Sequence, residues 1–180
     1  YTVSGGSCTI NLAANSINVL ITNSGVAPTP TPTSSVIPTA TVTTTPTTSP
    51  TNSPGTAVYR VTSGGSAVSP FAADNYYSGG STYSTTNSIN TSGVTDPAPM
   101  AVYQTERYGQ FTYTFPSLTA GASYRVRLHF TETYVTGSGQ RKFNVKINGT
   151  QVLTDYDIYA DVGFNNAAIK EFTTTANGSG

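Results

Sequence analysis

The stretch FTYTFPSLTAGASYRVRLHF, residues 111–130, decides the fold of this chain. It holds two runs, FTYTF and YRVRLHF, in which apolar or aromatic side chains occupy every second position. That is the period of a β-strand with one buried face. In the second run Arg125, Arg127 and His129 fall on the other face, which we expect to lie in solvent. The pattern predicts two half-buried antiparallel strands joined through a Gly-containing turn.

Further alternating runs follow, KFNVKI at 142–147 and AIKEFTTT at 168–175. The dipeptide Asn148-Gly149 stands between KFNVKI and the next short run, QVL, and this dipeptide strongly favours a two-residue hairpin. No segment has a convincing 3.6-residue period. The chain is therefore predicted to be all-β, and its half-buried strands and Gly- and Ser-rich turns favour a β-sandwich or jelly roll.

The composition excludes several classes of protein. Lys and Arg number eight, as do Asp and Glu, so the net charge of zero does not favour nucleic acid as a partner. No apolar run approaches the roughly 20 residues that span a bilayer, so we predict no membrane insertion. The single cysteine, Cys8, cannot form an internal disulfide, and we expect it to be half-buried in a strand.

The composition also divides the chain into three parts. Residues 1–25 contain the runs CTINL and SINVLI, which resemble the closing hairpin of the β-sandwich behind the catalytic barrel of secreted glycoside hydrolases. We interpret them as the C-terminal strands of an upstream β-domain. Residues 26–56 are rich in Thr and Pro and carry no charge, which predicts a disordered or extended linker. All charged residues lie in the third part, residues 57–180.

Five ordered motifs in the third part resemble those of a known family. They are ADNYYSGGSTYSTT (73–86), YQTERYG (103–109), LHFTE (128–132), QRKFNVKINGTQVL (140–153) and DYDIYADVG (155–163). Together they resemble the malectin-type domain, over roughly residues 57–175. The resemblance implies a jelly-roll β-sandwich that binds carbohydrate. Bacterial members of the family often accompany secreted enzymes as carbohydrate-binding modules.

The resemblance also suggests which side chains contact sugar. Tyr83, Tyr108 and Tyr134 fall on the aromatic ligand positions of the family. We assign Glu132 to the same carbohydrate-binding site, where we expect it to hold the loop that carries Tyr134. Val135 stands where the animal member has a second aromatic residue. The family uses an Asp near its C-terminal end, whereas this sequence stops at TTTANGSG. We therefore expect a C-terminally truncated module.

The pair Glu106-Arg107 adjoins Tyr108, and we expect it to fix a loop there through hydrogen bonds to backbone. Carboxylates also raise the alternative of catalysis, because glycoside hydrolysis needs two of them held about 5–10 Å apart. Glu106 and Glu132 are one candidate pair, and Asp155 and Asp157 are another. Nothing in the spacing marks any of them as an acid with a raised pKa, and the family that the chain resembles is not catalytic.

Metal binding is the second alternative function that the charged residues suggest. Asp155, Asp157 and Asp161 suggest calcium, but the spacing lacks the Gly and the terminal Glu of an EF-hand loop. His129 has no second histidine with which to form a zinc pair, and we expect it to be solvated. The prediction is that the chain holds no metal and no cofactor.

The sequence thus predicts a non-catalytic carbohydrate-binding module with a glucan-type di- or oligosaccharide as ligand. We expect it to be extracellular, secreted and bacterial, and to target a tethered upstream glycoside hydrolase to polysaccharide. Two alternatives stay open. One is a structural or adhesive spacer that binds no sugar, and the other is a hydrolase whose carboxylates the pattern does not reveal.

Overall fold

Two β-sheets pack on a shared apolar core in the part of the chain that the computed structural model describes, residues 6–12, 18–23 and 56–178. The strands are β1 (Gly6–Leu12), β2 (Asn18–Asn23), β3 (Ala57–Val61), β4 (Tyr77–Ser84), β5 (Thr105–Leu118), β6 (Ser123–Thr131), β7 (Phe143–Ile147), β8 (Thr150–Tyr156) and β9 (Ala167–Thr175). The helices are α1 (Met100–Tyr103) and α2 (Ile158–Val162).

Strand order defines the two layers. One sheet runs β4-β5-β1-β7-β8 and the other runs β3-β2-β6-β9. Each of the strand pairs in the described ranges is antiparallel. The predicted all-β sandwich is therefore confirmed. Neither α1 nor α2, the helices of the described residues, has the length and apolar character needed to cross a membrane.

The core lies between the predicted apolar faces of the strands. The buried members of the alternating runs are Phe111, Tyr113 and Phe115 of β5, Tyr124, Val126, Leu128 and Phe130 of β6, and Phe143, Val145 and Ile147 of β7. Full burial of one large apolar side chain contributes about 1.5–3 kcal/mol, so these faces are the main source of stability. The prediction that these apolar faces are buried is confirmed.

The predicted hairpin joins β7 to β8. Ile147 pairs with Thr150, and the two residues between them, Asn148 and Gly149, have φ values of 48° and 81°. Asn148 also ties the sheets together. Its Oδ1 accepts the N–H of Thr9 at 2.8 Å, and its Nδ2 donates to the carbonyl of Thr175 at 2.9 Å. The turn residue therefore stabilises the sandwich as well as the hairpin.

The outer face of β6 is covered, which corrects the expectation that His129 is solvated. A second apolar cluster, which includes Phe71, Val102 and Tyr103, packs there. His129 is buried, with its Nδ1 2.9 Å from the hydroxyl of Tyr103 and its ring edge-to-face with Phe71. Phe71 and Tyr103 come from the chain before β5, which folds back over β6. The alternating pattern of β6 does not reveal that another segment covers its outer face.

Arg127, on the same outer face, is buried too, contrary to the sequence prediction. Its Nη1 donates to Glu171 of β9 at 2.9 Å. Its Nη2 donates to the carbonyl oxygens of Thr95 and Asp96. The guanidinium therefore fixes the loop before α1 over the sheet, because it donates to two consecutive carbonyl groups of that loop.

The first two strands lie inside the sandwich, which differs from the prediction that residues 1–25 end a separate upstream domain. β1 pairs with β5 and β7, and β2 pairs with β3 and β6. Cys8, Ile10 and Ile21 are fully buried in the core, and burial raises the pKa of the Cys8 thiol to about 11. Without these strands each sheet would have a gap in its hydrogen-bonded ladder. The predicted linker, residues 26–56, lies outside the described residues except for Thr56.

Ile10→Ala tests the place of β1 in the sandwich. We expect it to lower the free energy of unfolding of the full chain by about 2–5 kcal/mol, because it leaves a cavity among Tyr113 and Ile147, the cross-strand partners of Ile10. Urea unfolding gives the value. Val58→Ala, at an exposed position of β3, is the matched control and should have little effect. Equal effects of the two substitutions would contradict the insertion of β1 between β5 and β7.

His129 makes the stability depend on pH. Burial, followed by the positive charge of Arg127, lowers the pKa of its imidazole to about 3. Unfolded histidine titrates near pH 6.5. As the pH falls below about 6.5, His129 binds a proton in the unfolded chain but not in the folded chain. Stability should therefore decrease by up to about 1.4 kcal/mol per pH unit towards pH 3.

Urea unfolding between pH 7.5 and 5 isolates this effect from the carboxylates, which titrate lower. His129→Asn removes the titrating ring, so its stability should change less over that range. His129 is the one histidine of the chain, which makes the assignment direct. If the free energy of unfolding of the variant depends on pH as steeply as that of the unsubstituted chain, then groups other than His129 cause the pH dependence.

Candidate functional site

The three tyrosines singled out in the sequence line one open cavity of about 220 Å³. Tyr83 lies in β4, Tyr108 lies in β5, and Tyr134 follows β6; 36%, 40% and 65% of their surfaces are exposed. The rings of Tyr83 and Tyr134 meet edge to face with centroids 5.9 Å apart. Glu106 and Arg141 complete the lining. Larger depressions lie beside β9, where none of the described lining residues is aromatic, and another of about 310 Å³ beside β3 is lined in part by Tyr59 and Tyr76.

A shift of register in the β4–β5 ladder separates the core from the cavity. On one side of the shift Tyr77 pairs with Tyr113 of the core, and on the other side Tyr83 and Tyr108 line the cavity. The shift falls at Gly79-Gly80, whose φ values are 81° and 72°. A Cβ at Gly80 would stand 2.9 Å from the carbonyl oxygen of Tyr108, so the close approach of the strands needs glycine. Such irregularities re-aim side chains along a strand.

Arg107 holds this register from the buried side. Its Nη2 lies 2.6 Å from Oδ2 of Asp74, and its Nη1 donates to the carbonyl of Gly79 at 2.9 Å. Its guanidinium also covers the ring of Tyr77 at 3.4 Å. The predicted hydrogen bond from the Glu106-Arg107 pair to backbone is therefore present, but Arg107 donates it to a carbonyl group of the neighbouring strand β4. Tyr108 itself lies in a strand, which corrects the expected loop.

Asp74 links the ion pair to the core. Its Oδ1 accepts the hydroxyl of Tyr113 at 2.6 Å, and its Oδ2 accepts the N–H of Gly64 at 2.8 Å. Burial, with the adjacent Asp74 carboxylate, raises the pKa of the Tyr113 phenol, so the phenol stays protonated and donates. The carboxylate is thus satisfied on both oxygens, as a buried charge requires.

Glu132 lies behind the wall of the cavity. Only 1% of its surface is exposed, and it is not among the residues that line the cavity. Its Oε1 accepts the N–H groups of Tyr134 and Val135 at 2.9 and 3.0 Å, and Nη1 of Arg141 lies 3.2 Å away. The structure therefore places Glu132 where it holds the segment that carries Tyr134.

Glu106 and Arg141 are the polar side chains that face the cavity. Sequence reasoning named Glu106 as a holder of the neighbouring loop or a catalytic candidate, and it did not name Arg141. Glu106 stands two residues before Tyr108, so strand periodicity places both on one face. Arg141 comes from the segment between β6 and β7. That segment has no periodic pattern, and the motif QRKFNVKINGTQVL, which contains Arg141, did not indicate that this side chain faces the cavity.

The carboxylates raised as alternatives have other partners. Glu106 and Glu132 flank Arg141, and Glu132 does not reach the cavity, so the two cannot flank a bound glycosidic bond there. Asp157 caps α2 by accepting the N–H of Ala160. That bond and a second from the N–H of Gly139 lower the pKa of its carboxyl group. Among the described residues no group of three or more metal-binding side chains occurs.

Asp155 and Asp161, the other acidic residues of this region, do not join Asp157 in a ligand set. Asp161 accepts the hydroxyl of Tyr156 at 2.7 Å and pairs with Lys170 at 3.0 Å. Asp155 has a φ of 47°, and its N–H donates to Oδ1 of Asn144 at 2.8 Å. Asp161 therefore anchors α2 to β9, and Asp155 lies at the end of β8.

The fold and the cavity define a class of protein, an antiparallel β-sandwich with an open aromatic cleft at the edge of one sheet. Comparison with known families identifies it further. Residues 57–179 match the malectin domain, so the chain belongs to the malectin domain family. The resemblance of the sequence motifs is confirmed.

Curated relatives of the chain carry the same name. Malectin-B of Xenopus laevis is 38% identical over 74 residues, which cover 40% of this chain and 26% of that protein. Human malectin is 39% identical over 74 residues, covering 40% of this chain and 25% of that protein. Malectin of Danio rerio is 37% identical over 73 residues, covering 39% and 25%. The chain thus spans about a quarter of the length of these relatives. No solved structure gives a significant match.

Glu132→Gln tests the support of the Tyr134 segment. The amide still accepts a hydrogen bond, but Arg141 loses the nearer of its two carboxylate neighbours. We expect a loss of about 1–3 kcal/mol in the free energy of unfolding. Faster cleavage by trypsin after Arg141 in the native protein should accompany it. Glu171→Gln removes a more exposed carboxylate on the other sheet and should cost less than about 1 kcal/mol. Equal stability and equal cleavage of the two variants would refute this role.

Proposed function

We propose that this chain is a non-catalytic carbohydrate-binding module that holds a glucose-containing oligosaccharide in the tyrosine cleft. Carbohydrate binding is the activity that membership in the malectin domain family implies. The observation that carries the proposal is the convergence of Tyr83, Tyr108 and Tyr134 on one open cavity. These residues come from distant parts of the chain, and packing of the core does not require them to be exposed together.

The chemistry of tyrosine suits this ligand. Its ring is a flat apolar surface for the C–H face of a pyranose, and its hydroxyl can bond to the hydroxyl groups at the sugar's rim. Drug-sized ligands occupy cavities of about 300–1,000 Å³. The cleft, at about 220 Å³, therefore suits one or two sugar rings, with the rest of a longer glycan outside. A shallow, open site of this kind favours modest affinity.

The wider role that we propose is to keep an attached glycoside hydrolase close to polysaccharide outside a bacterial cell. Its support is the resemblance of the sequence to a family whose bacterial members often accompany secreted enzymes as carbohydrate-binding modules. The Thr- and Pro-rich residues 26–56 do not support it as a tether, because they connect β2 to β3 of the same sandwich. A spacer that binds no sugar is the competing role, and the binding experiment separates the two.

Calorimetric titration of the full chain with maltose, nigerose, cellobiose and xylobiose tests the proposal. We expect heat from at least one glucose disaccharide, and Tyr108→Ala and Tyr134→Ala should each weaken binding about tenfold or more, because each removes a ring from the cleft. Tyr76→Ala is the control, since Tyr76 is similarly exposed but its ring contacts Tyr59 and Phe115 and does not line the cavity. If the folded chain gives no heat with any sugar, the spacer is the better interpretation.

A further inference from the structure

The inner wall of the cleft carries a chain of three charged side chains. Nη1 of Arg141 lies 3.2 Å from Oε1 of Glu132 and 4.0 Å from Oε1 of Glu106. The side chains of Glu106, Glu132 and Arg141 are 5%, 1% and 19% exposed. One guanidinium therefore serves two buried carboxylates, and Glu106 and Arg141 both face the cavity.

The charges in this cluster do not cancel. Two carboxylates against one guanidinium leave a formal charge of −1, and the partly buried setting strengthens the field of that charge in the open cleft. Arg107, the next residue after Glu106, does not compensate for it, because its guanidinium lies 2.6 Å from Asp74. A ligand in the cleft thus meets a negative field close to Tyr108 and Tyr134.

We propose that the Glu106–Arg141–Glu132 cluster makes the cleft selective for neutral sugars and excludes sugars that carry a carboxylate, such as uronic acids. This inference rests on the proposed function, since it concerns the ligand of the same site. A neutral sugar can donate one hydroxyl to the carboxylate of Glu106 and accept from Arg141 with a neighbouring hydroxyl. Donor and acceptor are both provided, so neither protein group is left without a partner.

A uronate carries a negative charge, so its interaction with the same two side chains is less favourable. Its carboxylate is repelled by Glu106. The positive charge of Arg141 is already shared between Glu106 and Glu132, so its N–H donors attract the uronate less than an arginine without carboxylate neighbours would. Binding an acidic sugar would therefore bring negative charges together without a full compensating positive charge. Selectivity of this kind arises from repulsion built against the wrong ligand.

The experiment compares neutral and acidic forms of one sugar. Calorimetric titration of the full chain uses the methyl glycosides of maltose and cellobiose, and the same compounds with every C6 hydroxymethyl group oxidised to a carboxylate. We expect the neutral form of the preferred sugar to bind at least tenfold more tightly than its dicarboxylate at low salt. This affinity gap, the ratio of the two dissociation constants, should become smaller in about 0.5 M salt, because screening weakens the repulsion.

Glu106→Gln removes the charge and keeps the shape, so it should reduce the gap to less than about threefold. Glu171→Gln makes the same change of net charge away from the cleft and should leave the gap unchanged. Equal binding of the neutral and acidic sugars by the unsubstituted chain would overturn the inference and leave the proposed function standing. A salt-independent gap would overturn it as well, even if Glu106→Gln fails to fold. If neither form binds to the folded chain, the proposed function fails and the inference fails with it.

Discussion

The ion pair between Arg107 and Asp74 is the interaction on which both the core and the cleft depend. Asp74 accepts the phenol of Tyr113 in the core, and Arg107 donates to the carbonyl of Gly79 where the β4–β5 register shifts. Removal of either partner would leave an uncompensated buried charge, which typically costs 3–5 kcal/mol. A strand ladder held in this way does not slip by one residue, a slip that would turn every side chain to the opposite face. Tyr83 and Tyr108 therefore stay on one cavity.

Charge is scarce in this chain, at 9% of residues, and three arginines are well covered and paired with carboxylates. Arg107 ties the segment before β4 to β5. Arg127 fixes the loop before α1 over β6, and Arg141 bridges the two glutamates beside Tyr134. Apolar contacts between sheets have no direction, whereas these pairs need defined geometry. They therefore determine which loop lies on which strand, and two of them lie next to the cleft.

Sequence periodicity predicted the apolar faces of β5, β6 and β7 correctly, because the side-chain period of a strand is a local property. It failed for the outer face of β6. Arg127 and His129 are polar, and alternation alone indicates that such positions face solvent. Their burial depends on Phe71 and Tyr103, which come from segments with no periodic pattern. The places of β1 and β2 inside the sheets were missed for a related reason, since strand pairing across long sequence separations leaves no local pattern.

The sequence by itself determined the class of fold, the Asn148-Gly149 hairpin, the malectin-type motifs and the identity of the aromatic residues of the cleft. Only the tertiary structure decided that Tyr83, Tyr108 and Tyr134 meet, that Glu132 stands behind them, and that Glu106 and Arg141 share the inner wall. The physical reason is one of range. Backbone geometry sets the direction of each side chain within a strand, whereas the distance between segments depends on register and packing over the whole sandwich.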